Sequence, residues 1–107
     1  MNVLFVCSKN LSRSPTAETI YKDHPDVNVK SAGTEPSAGT DLTGEQITWA
    51  DIIFVMEEKH QQSMVATFPA ETDGKQIVIL DIPDEYNFMN AALIETIQTK
   101  VSQYIHK

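Results

Sequence analysis

The chain has 107 residues, with 15 Asp or Glu and 8 Lys or Arg, so its formal net charge at pH 7 is −7. This length favours one compact domain over residues 1–107, and the acidic balance disfavours nucleic acid as a partner. No apolar run approaches the roughly 18–20 residues that cross a bilayer, and Met1 leads into an apolar segment without a secretory signal, so we expect a cytoplasmic protein that does not bind membranes.

Four short apolar segments rich in β-branched residues predict strands at residues 3–7, 27–31, 52–56 and 77–80. Helices are predicted at residues 14–23, 42–49 and 57–67, and from about Asn90, which is a suitable N-cap. The last helix carries one apolar face, formed by Leu93, Ile94, Ile97, Val101, Tyr104 and Ile105. The alternation predicts an α/β fold, a single three-layer domain whose four-stranded parallel sheet has helices on both faces.

The segment after the first strand predicts a phosphate-binding loop that holds a nucleophile. Cys7 ends the strand, Arg13 follows six positions later, and Ser14-Pro15 opens a helix. Backbone N–H groups, the helix N-terminus and a planar guanidinium can together hold a tetrahedral oxyanion. The same positive field favours the thiolate of Cys7. An ionised sulfur beside a bound phosphoryl group indicates nucleophilic attack on phosphorus.

Cys7 is the single cysteine of the chain, which excludes an internal disulfide. An isolated cysteine is often a buried structural thiol, and an isolated arginine is often a surface cation. Here the spacing, the helix start and the arginine agree, so we interpret Cys7 as a nucleophile and Arg13 as a bidentate phosphate ligand.

The sequence around this loop, Val-Leu-Phe-Val-Cys-Ser-Lys-Asn-Leu-Ser-Arg-Ser-Pro-Thr-Ala-Glu, resembles the N-terminal signature of low-molecular-weight protein tyrosine phosphatases. The resemblance continues through residues 30–34 and 50–56, and residues 81–84 are similar to the loop that carries the family's general acid. It implies a phosphatase that needs neither metal nor cofactor and works through a phosphocysteine intermediate. Its expected substrate is a phosphotyrosine protein or a small phosphomonoester.

The resemblance also implies roles for individual residues. Phosphate binding and loop support fall to Ser8, Lys9, Asn10, Leu11, Ser12, Ser14 and His60; among these, Lys9 departs from the small residue that the family often has and would add attraction for anionic substrates. Asn10 would support the shape of the loop, and Ser14 would hydrogen-bond Cys7 as well as cap the helix. His60 would belong to a network that holds the loop asparagine and serine, and Tyr86 would line one wall of the substrate slot. The alternatives are a plain turn residue at Asn10, a solvated histidine at His60 and a packing residue at Tyr86.

The general acid has three candidates. One carboxyl can protonate the leaving tyrosine oxygen and then activate water against the phosphocysteine. The resemblance points to Asp84, but the family has Asp-Pro there and this chain has Asp84-Glu85. Asp81 is closer to the strand end, and Glu85 is the third candidate.

Residues 35–39 form a shorter stretch than the family has after Thr34, so we expect a shallower or more open pocket. Trp49 is expected in the core, and His24 and His106 at the surface. Two other functions stay open: an arsenate reductase that uses an external thiol, and a phosphate- or phosphopeptide-binding module without turnover.

Overall fold

The computed structural model describes residues 1–36 and 38–105, and its regular elements alternate between strands and helices. The strands are β1 (Asn2–Cys7), β2 (Asn28–Gly33), β3 (Ile52–Val55) and β4 (Gln76–Ile79). The helices are α1 (Arg13–Tyr21), α2 (Gly44–Trp49), α3 (Glu58–Thr67), α4 (Pro69–Thr72) and α5 (Ala91–Val101). The strands form one parallel sheet in the order β2-β1-β3-β4.

Helices cover both faces of this sheet, because side chains of a strand alternate between faces. Phe5 of β1 packs in one core cluster with Ala17 of α1 and Leu93 of α5. The neighbouring Leu4 packs in a second cluster with residues of α2 and α3, among them Met64. The predicted three-layer α/β fold is therefore confirmed. It places the ends of β1 and β4, and the loops that follow them, at the carboxyl edge of the sheet.

The element boundaries differ from the sequence predictions in a few places. The short helix α4 was not predicted; it begins with Pro69 at its first position, directly after the end of α3. β2 runs two residues further than expected, to Gly33. α5 ends at Val101, so Tyr104 and Ile105 lie beyond the helix, although both pack in the same core cluster as its apolar face.

Two predictions about single residues need correction. His24 is partly buried rather than exposed, because its ring lies beside that of Tyr21 and its Nδ1 accepts the N–H of Asp26 at 3.1 Å. Trp49 is only half-buried; it packs at the edge of the second cluster, with Lys30 Nζ 4.5 Å from its ring centroid. His106 lies outside the described residues. Over residues 1–36 and 38–105, no helix combines the length and the apolar character that a membrane span requires.

Candidate active site

The loop between β1 and α1 opens into a pocket of about 360 Å³ at the carboxyl edge of the sheet. The loop after β4 forms the rest of this pocket. Its lining consists of Cys7, Lys9, Leu11, Ser12, Arg13, Asp84, Tyr86, Asn87 and Phe88. The fold thus brings Asp84, 77 positions after Cys7 in the chain (84 − 7), into the same pocket as the cysteine.

The sulfur of Cys7 is buried at the end of a chain of polar side chains. Ser14 Oγ lies 2.9 Å from Cys7 Sγ and accepts an N–H from Asn10 at 2.8 Å. Because its oxygen is already an acceptor, the hydroxyl proton of Ser14 can be donated to the sulfur. Asn10 also donates to Ser31 Oγ at 3.0 Å, and Ser31 donates to Glu18. The sulfur is thus placed within hydrogen-bonding distance of a hydroxyl that this network orients.

Asn10 supports the loop through its backbone as well as through its side chain. Its φ angle is 56°, in the left-handed region that asparagine tolerates better than most residues. This turn lets the amide reach inward to Ser14 and Ser31. Asn10 thus links the loop to α1 and to β2 through hydrogen bonds to Ser14 and Ser31.

The segment at residues 34–39, of which residue 37 lies outside the described part, fastens the loop from outside. Backbone N–H groups of Thr34, Glu35 and Gly39 donate to the carbonyl oxygens of Cys7, Ser8 and Lys9 at 2.9, 2.9 and 2.8 Å. The carbonyls are thus turned toward this segment, which does not line the pocket. The loop is then free to present its N–H groups to an anion.

Glycines permit this close approach. A Cβ atom at Gly33 would lie 2.6 Å from the carbonyl oxygen of Ser8, and one at Gly39 would lie 2.7 Å from that of Asn10. Both distances are far below van der Waals contact. The stretch that seemed only shortened in the sequence therefore holds the phosphate loop in shape.

Arg13 is 1% exposed and is anchored by its Nη1 atom. Nη1 donates to the carbonyl oxygen of Ile82 at 2.7 Å and lies 3.3 Å from Glu57 Oε2. Its Nε lies 3.8 Å from Asp84 Oδ1. Since Nη1 is held by the protein, the edge formed by Nε and Nη2 is the one available for two oxygens of a phosphoryl group.

Glu57 was missed by the sequence analysis. Burial alone would raise its pKa, but the hydrogen bonds and positive charges of Arg13 and Lys59 outweigh burial and lower the pKa below its ordinary value. A signal was present in the sequence, because Glu57 follows β3 almost directly and so lies at the carboxyl edge of the sheet.

His60 contacts the loop at a different place from the one expected. The N–H of Glu57 donates to Nδ1 at 3.0 Å, so the ring proton is on Nε2, which donates to Ser8 Oγ at 2.7 Å. Burial, followed by the positive charge of Arg13, lowers the pKa of His60 to about 4. The histidine is therefore neutral near pH 7 and holds Ser8. Ser31, rather than His60, accepts from Asn10, and Asn10 in turn donates to Ser14.

The candidate acids lie in different surroundings. Asp84 lines the pocket with Cys7, whereas Asp81 lines a separate pocket beside Lys100. Asp81 has a φ angle of 54°, and this local turn separates the two carboxyl groups although they are three residues apart. Glu85 is exposed and is not among the residues that line the pocket.

Three neighbouring residues after Asp84 complete the pocket wall. Tyr86 lines the pocket and also packs against the first core cluster, so both expected roles are compatible with its position. Asn87 and Phe88, which the sequence analysis did not name, line the pocket as well. Because they follow Tyr86 directly in the chain, the sequence could have indicated that they lie at the pocket. In the described part of the chain, no group of three or more His, Cys, Asp or Glu side chains is placed to hold a metal ion.

Comparisons with known proteins agree with this geometry. Residues 2–49 match the family model for low molecular weight phosphotyrosine protein phosphatase. The chain is 30% identical to the low molecular weight protein-tyrosine-phosphatase Etp of Escherichia coli strain K12, over 79% of this chain and 77% of Etp. It is also 30% identical to a protein-arginine-phosphatase of Geobacillus stearothermophilus, over 66% of this chain and 64% of that protein.

A solved structure shares the fold. The low molecular weight protein tyrosine phosphatase SP-PTP of Streptococcus pyogenes superposes with a TM-score of 0.78 at 18% identity, covering 99% of this chain and 94% of that one. Fold, loop and relatives together define a cysteine-based phosphatase. The chain belongs to the low molecular weight protein-tyrosine-phosphatase family, as the resemblance implied.

Proposed function

We propose that this enzyme hydrolyses phosphotyrosine in proteins, with Cys7 as nucleophile, Arg13 as phosphate ligand and Asp84 as general acid and base. The observation that carries the proposal is the joint placement of Cys7, Arg13 and Asp84 around one pocket. The sulfur of Cys7 attacks phosphorus, the bond from phosphorus to the tyrosine oxygen breaks, and Asp84 donates its proton to that oxygen.

The second step regenerates the enzyme. Asp84, now a carboxylate, takes a proton from a water molecule whose oxygen attacks phosphorus, and the bond between sulfur and phosphorus breaks. Inorganic phosphate leaves, and Cys7 returns as a thiolate that accepts a hydrogen bond from the hydroxyl of Ser14, whose oxygen lies 2.9 Å from the sulfur. Arg13 and the backbone N–H groups of residues 8–13 bind the equatorial oxygens throughout, so charge develops against donors already in place.

The walls of the pocket support an aromatic phosphoester over phosphoarginine. Tyr86 offers aromatic surface to a tyrosine ring, and Leu11 and Phe88 add apolar surface at the mouth of the pocket. A phosphorylated guanidine is polar and would need carboxylate or carbonyl partners. The pocket lining offers one carboxylate, Asp84, and the proposed mechanism already uses it as the general acid. Lys9 at the same pocket adds attraction for the phosphoryl group itself.

The test compares a phosphotyrosine peptide with the same peptide carrying phosphoarginine, both with a chelator present. We expect kcat/KM for phosphotyrosine to exceed that for phosphoarginine by roughly 10²-fold or more. Cys7→Ser should abolish turnover and keep substrate binding, and rapid quenching of the wild type should reveal a phosphorylated Cys7. Preference for phosphoarginine would reassign the substrate.

The same assays address the two other functions. Binding of the phosphotyrosine peptide without turnover by the wild type would indicate a binding module. Reduction of arsenate with an added thiol, in the absence of phosphotyrosine hydrolysis, would indicate a reductase. We also propose a cytoplasmic location, since a thiolate nucleophile needs a reducing compartment, and fractionation of the source cells tests it.

A further inference from the structure

The mouth of the pocket carries an unusual share of exposed apolar surface. In the described part of the chain, the large hydrophobic side chains that are exposed are Met1, Leu11, Val65, Phe88 and Met89. Leu11 and Phe88 line the pocket, and Met89 adjoins Phe88 in the chain. Single exposed apolar residues need no explanation, but several of them grouped at one ligand pocket are typical of an interaction site. We name Leu11, Phe88 and Met89 the apolar rim.

The backbone holds Phe88 in this exposed position. Met89, which follows it, has a φ angle of 62°, a conformation that is unfavourable for a residue with a side chain. The N–H of Met89 donates to the buried Thr16 Oγ1 at 2.9 Å, and Asn90 caps α5 through the N–H groups of Ala92 and Leu93. The loop is therefore fastened directly after Phe88, whose side chain is 52% exposed.

Leu11 is held in a similar way on the opposite segment. It is 67% exposed, although the neighbouring Asn10 is buried and tied to Ser14 and Ser31. An apolar side chain that a rigid loop keeps in water gains free energy when a partner covers it, and little conformational entropy is lost in the process.

Charge at the mouth selects among possible partners. Asp84 and Glu85 are both exposed and precede Phe88 and Met89 in the same loop, whereas Lys9, also exposed, is the cation assigned above to attraction of the phosphoryl group. In a chain of net charge −7, the two carboxylates disfavour acidic groups next to the phosphorylated residue. The half-buried Tyr86 is available to the ring of the phosphotyrosine, whereas the rim extends further into solvent.

We propose that the apolar rim binds an aliphatic or aromatic side chain that flanks the phosphotyrosine of a protein substrate. The enzyme would thus select phosphosites with apolar neighbours and discriminate against those with acidic neighbours. This inference rests on the proposed phosphotyrosine activity, and it adds a determinant of substrate choice outside the phosphate loop.

The experiment measures kcat/KM on phosphotyrosine peptides that differ only at the two flanking positions, which carry Leu, Ala, Glu or Lys. We expect the Leu peptide to exceed the Ala peptide by roughly 10-fold, because part of each leucine side chain leaves water, and the Glu peptide to be the poorest. Phe88→Ala should reduce the ratio of Leu to Ala toward one, and Phe88→Leu should largely keep it. Val65→Ala, which removes an exposed apolar side chain from α3, is the matched control and should leave the ratio unchanged.

Turnover of all peptides without a preference for Leu would overturn the inference and leave the phosphotyrosine activity standing. The same holds for a preference that persists in Phe88→Ala, or for a best substrate flanked by Lys, which would point to the acidic residues instead. Failure to hydrolyse any of the peptides, while p-nitrophenyl phosphate is hydrolysed, would contradict the proposed function and this inference together.

Discussion

Arg13 and Glu57 form a largely buried ion pair behind the phosphate pocket, with Nη1 3.3 Å from Oε2. Glu57 side-chain exposure is 28%, whereas that of Arg13 is 2%. With the carbonyl of Ile82, Glu57 fixes one end of the guanidinium and so determines which edge faces the pocket. Glu57, which lies outside the loop from Cys7 to Arg13, thus orients Arg13.

Glu57→Gln should therefore weaken phosphate binding without removing the nucleophile. We expect kcat/KM for a phosphotyrosine peptide to fall by roughly 10-fold and the inhibition constant of inorganic phosphate to rise similarly, because a charge-assisted contact to Arg13 is lost. Steady-state kinetics with phosphate inhibition measure both. The control is Glu58→Gln, an exposed neighbour in the first turn of α3. Equal effects of the two substitutions would contradict a specific role for Glu57.

Asp84→Asn tests whether Asp84, rather than Asp81, is the general acid. Tyrosine oxygen is a poor leaving group, with a pKa of about 10 in model peptides, so hydrolysis of tyrosyl or phenyl phosphate should slow by roughly 10²–10⁴-fold. Phosphorylation of the enzyme by p-nitrophenyl phosphate should slow much less, since nitrophenolate leaves without help. Rates across a series of leaving groups, and loss of one limb of the pH profile, are the measurements.

Asp81→Asn is the matched control, because asparagine tolerates the left-handed backbone that Asp81 adopts. Asp81→Asn should leave the dependence of the rate on the leaving group unchanged. If that dependence appears in Asp81→Asn and not in Asp84→Asn, the acid is Asp81. If neither variant alters it, Glu85 is the candidate to replace next.

The buried His60 makes stability depend on pH. Its folded pKa of about 4 is below the roughly 6.5 of an unfolded histidine, so between these values the unfolded chain binds more protons. The contribution of the neutral His60 to the free energy of unfolding is complete above about pH 6.5. It falls by up to about 3 kcal/mol as the pH is lowered toward 4. The pKa of Glu57 is also lowered, so Glu57 likewise makes the folded chain less stable as the pH falls, but only at pH values below the ordinary pKa of a carboxyl.

Urea unfolding between pH 4 and 7.5 measures this effect. His60→Gln should have a flatter profile than the wild type between pH 6.5 and 4.5, even if it is less stable at pH 7. Identical slopes in His60→Gln and the wild type would show that His60 is not held neutral in the folded chain.

Peroxide should inactivate the enzyme through Cys7. Cys7 is the single cysteine of the chain, so the phosphate loop contains no second thiol. A protective disulfide within the loop is therefore impossible, and oxidation should proceed from sulfenic to irreversible sulfinic and sulfonic acids unless an external thiol intervenes. Bound phosphate should slow the reaction by covering the sulfur.

Intact mass spectrometry after peroxide, with and without phosphate, follows this modification. Cys7→Ser corrects for oxidation of the four methionines, which adds the same mass increments. A Cys7 that stays reduced under conditions that oxidise a model thiol would contradict an accessible thiolate.

The sequence by itself determined the alternation of strands and helices and the local geometry of the phosphate loop. Cys7, Asn10, Arg13 and Ser14 lie within eight positions of one another, so a strand end, a left-handed turn and a helix start are enough to place them. Such features depend on local backbone preferences and on the period of the apolar residues, which a sequence shows directly. The family resemblance followed from the same residues.

Only the tertiary structure decided which distant side chains complete the site. Glu57 and His60 reach the loop from α3 and its N-terminus, and Asp84 and Phe88 reach the pocket from the loop after β4. In the sequence Asp81 and Asp84 are both candidate acids three residues apart, yet in the fold they line different pockets. These contacts depend on strand order and on where each loop turns at the sheet edge, because parallel strands bring together side chains that are far apart in the chain.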